Sequence, residues 1–150
     1  MNNTDWNKTY MGFARLVAEH SKADKAKVGC VIVKENQVIS SGYNGTPSGY
    51  DNTCEDREFL SNKLVTRPEV IHAEINAIAK VARSTISCEG ADLYVTKAPC
   101  FECAKAIIQS GISLVIFNGT LEECEQDSIA FLQVNNVVVI VMNEEGGYLV

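Results

Sequence analysis

With 150 residues, 46% of them hydrophobic, the chain has the length of one ordinary domain and enough apolar material for a single sizeable core. A net charge of −6 argues against the basic face with which proteins grip a nucleic acid polymer, yet a small anion needs only a few local donors. No run approaches the roughly 18 apolar residues of a membrane span, and the opening Met-Asn-Asn-Thr-Asp-Trp lacks the basic start and apolar stretch of a signal peptide. The expectation is a soluble cytoplasmic protein, in a host's cytoplasm if the gene is phage-borne.

In chain order, Trp6, Tyr10, Phe13 and Val17 recur at helical spacing, widened by Met11, Ala14 and Ala18. Residues 4–20 therefore read as an amphipathic helix whose aromatics face the core. Lys22, Lys25 and Lys27 follow as a cationic cluster, either donors for a small anion or a solvated face. Val28 to Val33 and a second run from Val38, joined by Lys34-Glu35-Asn36-Gln37, give a hairpin signal. From Ser41 to about Val70 the sequence is rich in Gly, Asn, Pro, Asp and Ser and reads as irregular. Loops of that length usually carry function.

Ile75, Ile78, Ala79 and Ala82 then mark a helix from about His72 to Arg83. Leu93–Thr96 reads as strand, Cys100–Ser110 as helix, Ile112–Phe117 as strand, about Glu122 to Gln133 as helix and Val137–Val141 as strand. Such alternation implies crossovers and an α/β sheet covered by helices on both faces.

Of six cysteines, only Cys100 and Cys103 are close in sequence. In a cytoplasmic setting thiols stay reduced, and a close pair serves a metal or catalysis. Cys30, Cys54, Cys88 and Cys124 read as ordinary thiols, with a second metal site open to Cys54. Pro99 suits a first helical position, so Cys100 and Cys103 share a face at a helix start. His72 begins another helix. One imidazole and two thiolates suit Zn²⁺ and keep its fourth tetrahedral position for water, whose pKa the ion lowers towards neutral. The partial positive charge of helix ends favours thiolates. Glu74 is the proton carrier, reaching the same centre if the helix end points at it. A lone Cys-x-x-C pair also fits a redox couple or half of a structural zinc site, but His-x-Glu with Pro-Cys-x-x-Cys is the zinc deaminase signature.

Gly42-Tyr43-Asn44-Gly45-Thr46-Pro47-Ser48-Gly49, His72-Ala73-Glu74-Ile75-Asn76-Ala77-Ile78 and Pro99-Cys100-Phe101-Glu102-Cys103-Ala104-Lys105, with Val28-Gly29-Cys30 before them, resemble the deoxycytidylate deaminase family over nearly the whole chain. The resemblance implies a mixed five-stranded sheet between helix layers in one domain over 1–150, with His72, Cys100 and Cys103 on one zinc and Glu74 shuttling protons. It also implies Asn44, bonded to the sugar, with Ala73 and Pro99 at the substrate. By the same resemblance the enzyme is a homohexamer that makes dUMP for thymidylate synthesis, activated by dCTP and inhibited by dTTP, with Mg²⁺ on the triphosphate. The effector set would be Tyr43, Gly45, Thr46, Gly49 and Arg83.

Two departures matter. Where relatives commonly carry a Tyr near the substrate, this chain has Asn118-Gly119-Thr120-Leu121-Glu122. That keeps dCTP, a C5-modified dCMP or a nucleobase open as substrates. The extra Cys or His with which some phage relatives bind a second zinc are absent from Ala23–Ala26. A non-catalytic zinc module that binds nucleotides is a further alternative, against which Glu74 speaks.

Overall fold

A computed structural model describes residues 3–120, 126–143 and 146–150. The first helix, α1 (Asn3–Ala18), precedes a hairpin of β1 (Gly29–Lys34) and β2 (Gln37–Tyr43). Glu35 and Asn36 form the turn, both at positive φ (51° and 59°). This mirror-image turn matches the strand twist, and Asn accepts its left-handed backbone readily.

The stretch expected to be irregular holds a second hairpin, β3 (Glu55–Arg57) and β4 (Leu64–Thr66), paired antiparallel. Arg67 closes its base, with its backbone N–H on the Cys54 carbonyl at 2.8 Å and its guanidinium 3.4 Å from Asp51 and 3.7 Å from Asp56 and Glu69. Helix α2 (Ala73–Ala82) follows, then β5 (Asp92–Val95), α3 (Phe101–Gln109), β6 (Leu114–Asn118), α4 (Gln126–Val134), β7 (Val138–Asn143) and β8 (Gly146–Leu149). The sheet order is β2-β1-β5-β6-β7-β8. β5, β6 and β7 run parallel, each joined to the next by a helical crossover, and the remaining neighbours are antiparallel. The five expected strands form this mixed sheet, and β8 extends its edge beyond the last strand legible in the sequence.

Strand alternation divides the core. Val31, Val33, Tyr94 and Ile116 face α1, where Tyr10, Met11 and Ala14 meet them. Ile32, Leu93, Val95, Val115 and Phe117 face the other way, onto Ala77 of α2, Ile107 of α3 and Leu132 of α4. Of the α1 aromatics expected inside, Tyr10 is buried, whereas Trp6 and Phe13 remain 38% and 46% exposed. The contact stripe runs through Tyr10, Met11 and Ala14, and Trp6 only stacks on the flank of Tyr10 at 5.5 Å between ring centroids.

Gly42 sets the position of α2. A Cβ there would lie 2.6 Å from both the Ala73 carbonyl and the Ala77 amide, so only glycine lets α2 rest on β2 at this depth. Polar bonds then fix the helix along the strand: Ser40 Oγ donates to the Ala77 carbonyl at 2.7 Å, and Asn76 Nδ2 to the Tyr43 carbonyl at 3.0 Å.

Candidate active site and metal centre

His72 and Cys100 are the N-cap residues of α2 and α3, both in extended backbone and neither making a side-chain cap hydrogen bond. N-caps normally turn a side-chain oxygen onto the free amides of the first turn. Here the side chains point away from their own helices and meet each other. Pro99 therefore precedes the cap instead of opening the helix as expected, because Cys100 itself is extended. Cys103 is the third residue of α3, one turn from the cap, the spacing at which cap and helix side chains approach. Ser128 of α4, fully buried, donates from Oγ to the Pro99 carbonyl at 2.6 Å and anchors this segment from behind.

His72 Nδ1 lies 3.4 Å from Cys100 Sγ and 3.4 Å from Cys103 Sγ. All three potential ligand atoms lie within 4.8 Å of one another. A tetrahedral zinc with bonds of about 2.3 Å to sulfur and 2.0–2.1 Å to nitrogen places such atoms roughly 3.6 Å apart, so the donor set fits. Its charge fits as well. Burial first, then the Glu74 carboxyl, hold the Cys103 thiol well above the ordinary thiol range. A divalent cation among these side chains supplies the charge that would reverse this.

Glu74 is buried at the second position of α2, with Oε2 accepting from Cys103 Sγ at 3.5 Å. The helix end does aim both His72 and Glu74 at one centre. Burial pushes the Glu74 carboxyl above its usual range, opposed by its own backbone N–H and by the charges of His72 and Lys97. Burial likewise raises the Cys30 thiol, a core residue beneath the site.

A cavity of about 310 Å³ opens onto this cluster, with Asn44, His72, Ala73, Glu74 and Cys100 in its wall. Pro99, expected at the substrate, is buried, and its neighbours Ala98 and Cys100 form the wall instead. Asn44 spends its side chain on the preceding segment: Oδ1 accepts from the Val28 N–H and Nδ2 donates to the Ala26 carbonyl, both at 2.8 Å. Lys25, Glu55 and Lys97 also line the cavity, a set that carries no sequence motif. Lys22 and Lys27, grouped with Lys25 in sequence, do not.

Of the residues assigned to an effector, Tyr43, Gly45, Thr46 and Gly49 lie on one segment, and Arg83 lies at the end of α2. Gly45 bridges to Ile71 beside His72, exchanging backbone bonds of 3.1 and 2.8 Å. Thr46 Oγ1 is buried without a hydrogen-bond partner. Tyr43 lies 6.1 Å from the His20 ring, and Gly49 turns at φ 85°. Arg83 is the C-cap of α2 and exposed, about 16 Å along the helix from His72 at roughly 1.5 Å per residue. Cys54 is buried, its Sγ donating to the Asn52 carbonyl at 3.6 Å. Asn118 accepts from Arg15 at 3.3 Å, whereas Leu121, Glu122 and Cys124 lie outside the described residues.

The model of the cytidine and deoxycytidylate deaminase zinc-binding region matches residues 4–118, which contain all three potential ligands and Glu74. The chain belongs to this zinc-binding family. It is 42% identical to human deoxycytidylate deaminase over 116 residues, a match covering 75% of this chain and 64% of the human protein, so it spans less than two thirds of that relative. With the deoxycytidylate deaminase of Mycobacterium phage D29 it shares 37% identity over 128 residues, 78% of this chain and 97% of the phage protein. The crystal structure of dCMP deaminase from cyanophage S-TIM5, in complex with dCMP and dUMP, superposes with a TM-score of 0.83 at 36% identity, covering 95% of this chain and 99% of that one. Among described residues no helix is long and apolar enough to cross a membrane.

Proposed function

We propose that residues 1–150 act as one deaminase domain that converts dCMP to dUMP and ammonia, with zinc held by His72, Cys100 and Cys103. The convergence of His72 Nδ1 and both thiols beside the Glu74 carboxyl, at the floor of a nucleotide-sized cavity, carries this reading. Zinc, when bound, supplies a Lewis acid that makes water nucleophilic near neutral pH. Glu74 takes a proton as water adds to the amidine carbon of the cytosine ring and passes it to the adjacent ring nitrogen, then takes the remaining proton of the added hydroxyl and gives it to the departing amine. A C–O bond forms, the exocyclic C–N bond breaks, and ammonia leaves. Asn44, with one N–H and one oxygen lone pair beyond those it spends on Ala26 and Val28, binds the sugar. The relatives named for deoxycytidylate, and the related structure bound to dCMP and dUMP, support the choice of substrate.

The same reading makes the protein a cytoplasmic homohexamer, activated by dCTP with Mg²⁺ and inhibited by dTTP. The unpartnered Thr46 hydroxyl and the glycines beside it supply polar groups and backbone amides for a phosphate. Purified zinc-loaded protein given dCMP, followed by ultraviolet absorbance, should show turnover that rises with dCTP and falls with dTTP. No turnover under any of these conditions sinks the substrate assignment. It would turn attention to dCTP and C5-modified nucleotides, a reading motivated by the absence of a tyrosine from Asn118-Gly119-Thr120-Leu121-Glu122.

A further inference from the structure

We propose that Glu55 is a positioning residue that fixes the backbone at Asp24 and Lys25, so that the Lys25 ammonium takes the 5′-phosphate of the nucleotide. The inference rests on the dCMP reading above. Glu55 opens β3, is only 9% exposed and lines the cavity. A buried carboxylate in the wall of an anion's cavity would repel its ligand unless its lone pairs were engaged. Here they are. Oε1 accepts from the Asp24 and Lys25 amides, each at 3.2 Å, and Oε2 from the Asp24 amide at 3.1 Å. Nothing regular holds residues 21–28 otherwise: Ser21 Oγ donates to the Asn44 carbonyl at 2.7 Å at one end, and the Asn44 side chain grips Ala26 and Val28 at the other. Glu55 fixes the centre.

The cavity wall carries Lys25 and Lys97, and among the described residues neither has an ion-pair partner. Lys97 is within electrostatic reach of Glu74 and so stands at the reacting end. In a nucleotide the reacting ring carbon and the phosphate lie at opposite ends. That leaves Lys25, on the separate segment clamped by the β3–β4 hairpin, for the phosphate. An ammonium with three rotatable donors suits that anion.

Calorimetry with dUMP and with deoxyuridine, neither of which can be deaminated, separates the phosphate from the rest of the ligand. The wild-type protein should prefer dUMP. Lys25→Ala should cut that preference by about tenfold or more, the scale of one charge-assisted contact. Glu55→Ala should do the same, and combining the two should cut it no further than Lys25→Ala alone. Glu55→Gln, whose single carbonyl oxygen can accept both amides, should restore it. Glu55→Asp keeps the charge, falls short of the amides and should lose the preference even if the alanine variant fails to fold. An unchanged ratio in Lys25→Ala, or a Glu55→Asp that weakens both ligands equally, overturns the proposal. Turnover of dCMP by the wild type is scored separately. Its absence with the dUMP preference intact sinks the deaminase reading alone, while turnover without that preference sinks only the Glu55–Lys25 proposal.

Discussion

His72 Nδ1 stands 3.4 Å from Cys103 Sγ although 31 positions separate them in the chain. Two helices must therefore begin at the same point in space, and the packing behind them decides whether they do. Glu74 is part of the same point, and its removal is the sharpest test of the chemistry. Glu74→Ala should keep its zinc, because none of the three ligand atoms is touched, and lose roughly 10²–10⁴-fold in turnover, the range for a positioned proton carrier. Zinc content by atomic emission together with undiminished turnover would remove Glu74 from that role.

Cys103→Ala should lose zinc and stability together. With one sulfur gone, His72 and Cys100 offer two ligands where a tetrahedral catalytic site uses three. Because the assembled site exists only in the folded chain, metal affinity contributes to folding. The wild type should melt at a lower temperature after treatment with a chelator, whereas the variant should melt low from the start and respond to the chelator hardly at all. Full zinc occupancy in the variant would exclude Cys103 as a ligand.

The starts of α2 and α3 were legible because a metal centre needs few residue types at fixed spacings, and His72, Glu74, Cys100 and Cys103 are unambiguous in that respect. The parallel strands were legible as unbroken apolar runs, since β6 is buried from both sides through Val115, Ile116 and Phe117. The β3–β4 hairpin was not. Glu55-Asp56-Arg57 and Leu64-Val65-Thr66 are too short for periodicity, and their pairing is stabilised by backbone bonds and by Arg67 at the base. Trp6 and Phe13 misled because helical spacing reports a stripe, while the width of the sheet contact decides how much of it is covered. β8, opening with Gly146-Gly147, has little strand propensity of its own and forms on the exposed edge of β7. Glu55 and Ser128 belong to no motif, and only their partners reveal what they do.

Gly42→Ala tests the contact that places α2. The added Cβ would meet the Ala73 carbonyl and the Ala77 amide at 2.6 Å, and neither backbone atom can swing aside as a side-chain end would. Overpacking of this kind costs about 1–3 kcal/mol. Since His72 caps the displaced helix, zinc affinity should fall along with stability. Gly12→Ala is the control: it lies within α1 with nothing inside 4 Å of the added atom, and should stabilise by roughly 0.5–1 kcal/mol without changing zinc affinity. Denaturant unfolding and chelator competition read both quantities. Equal effects from the two substitutions would refute the close-packing account of Gly42.

Ser128→Ala separates support of the metal ligand from stability in general. The Oγ bond to the Pro99 carbonyl is buried, and its loss leaves that carbonyl without this donor, at about 1–3 kcal/mol. Cys100 is the next residue, so the variant should hold zinc more weakly and lose activity at limiting metal, with recovery when zinc is in excess. Ser110→Ala deletes a hydroxyl bond of 2.9 Å, to the Ile107 carbonyl, at the other end of α3. It should lower the melting temperature without weakening zinc. If both variants compete with a chelator as well as the wild type does, then the Ser128 bond stabilises the fold and leaves the position of Cys100 to α3 alone.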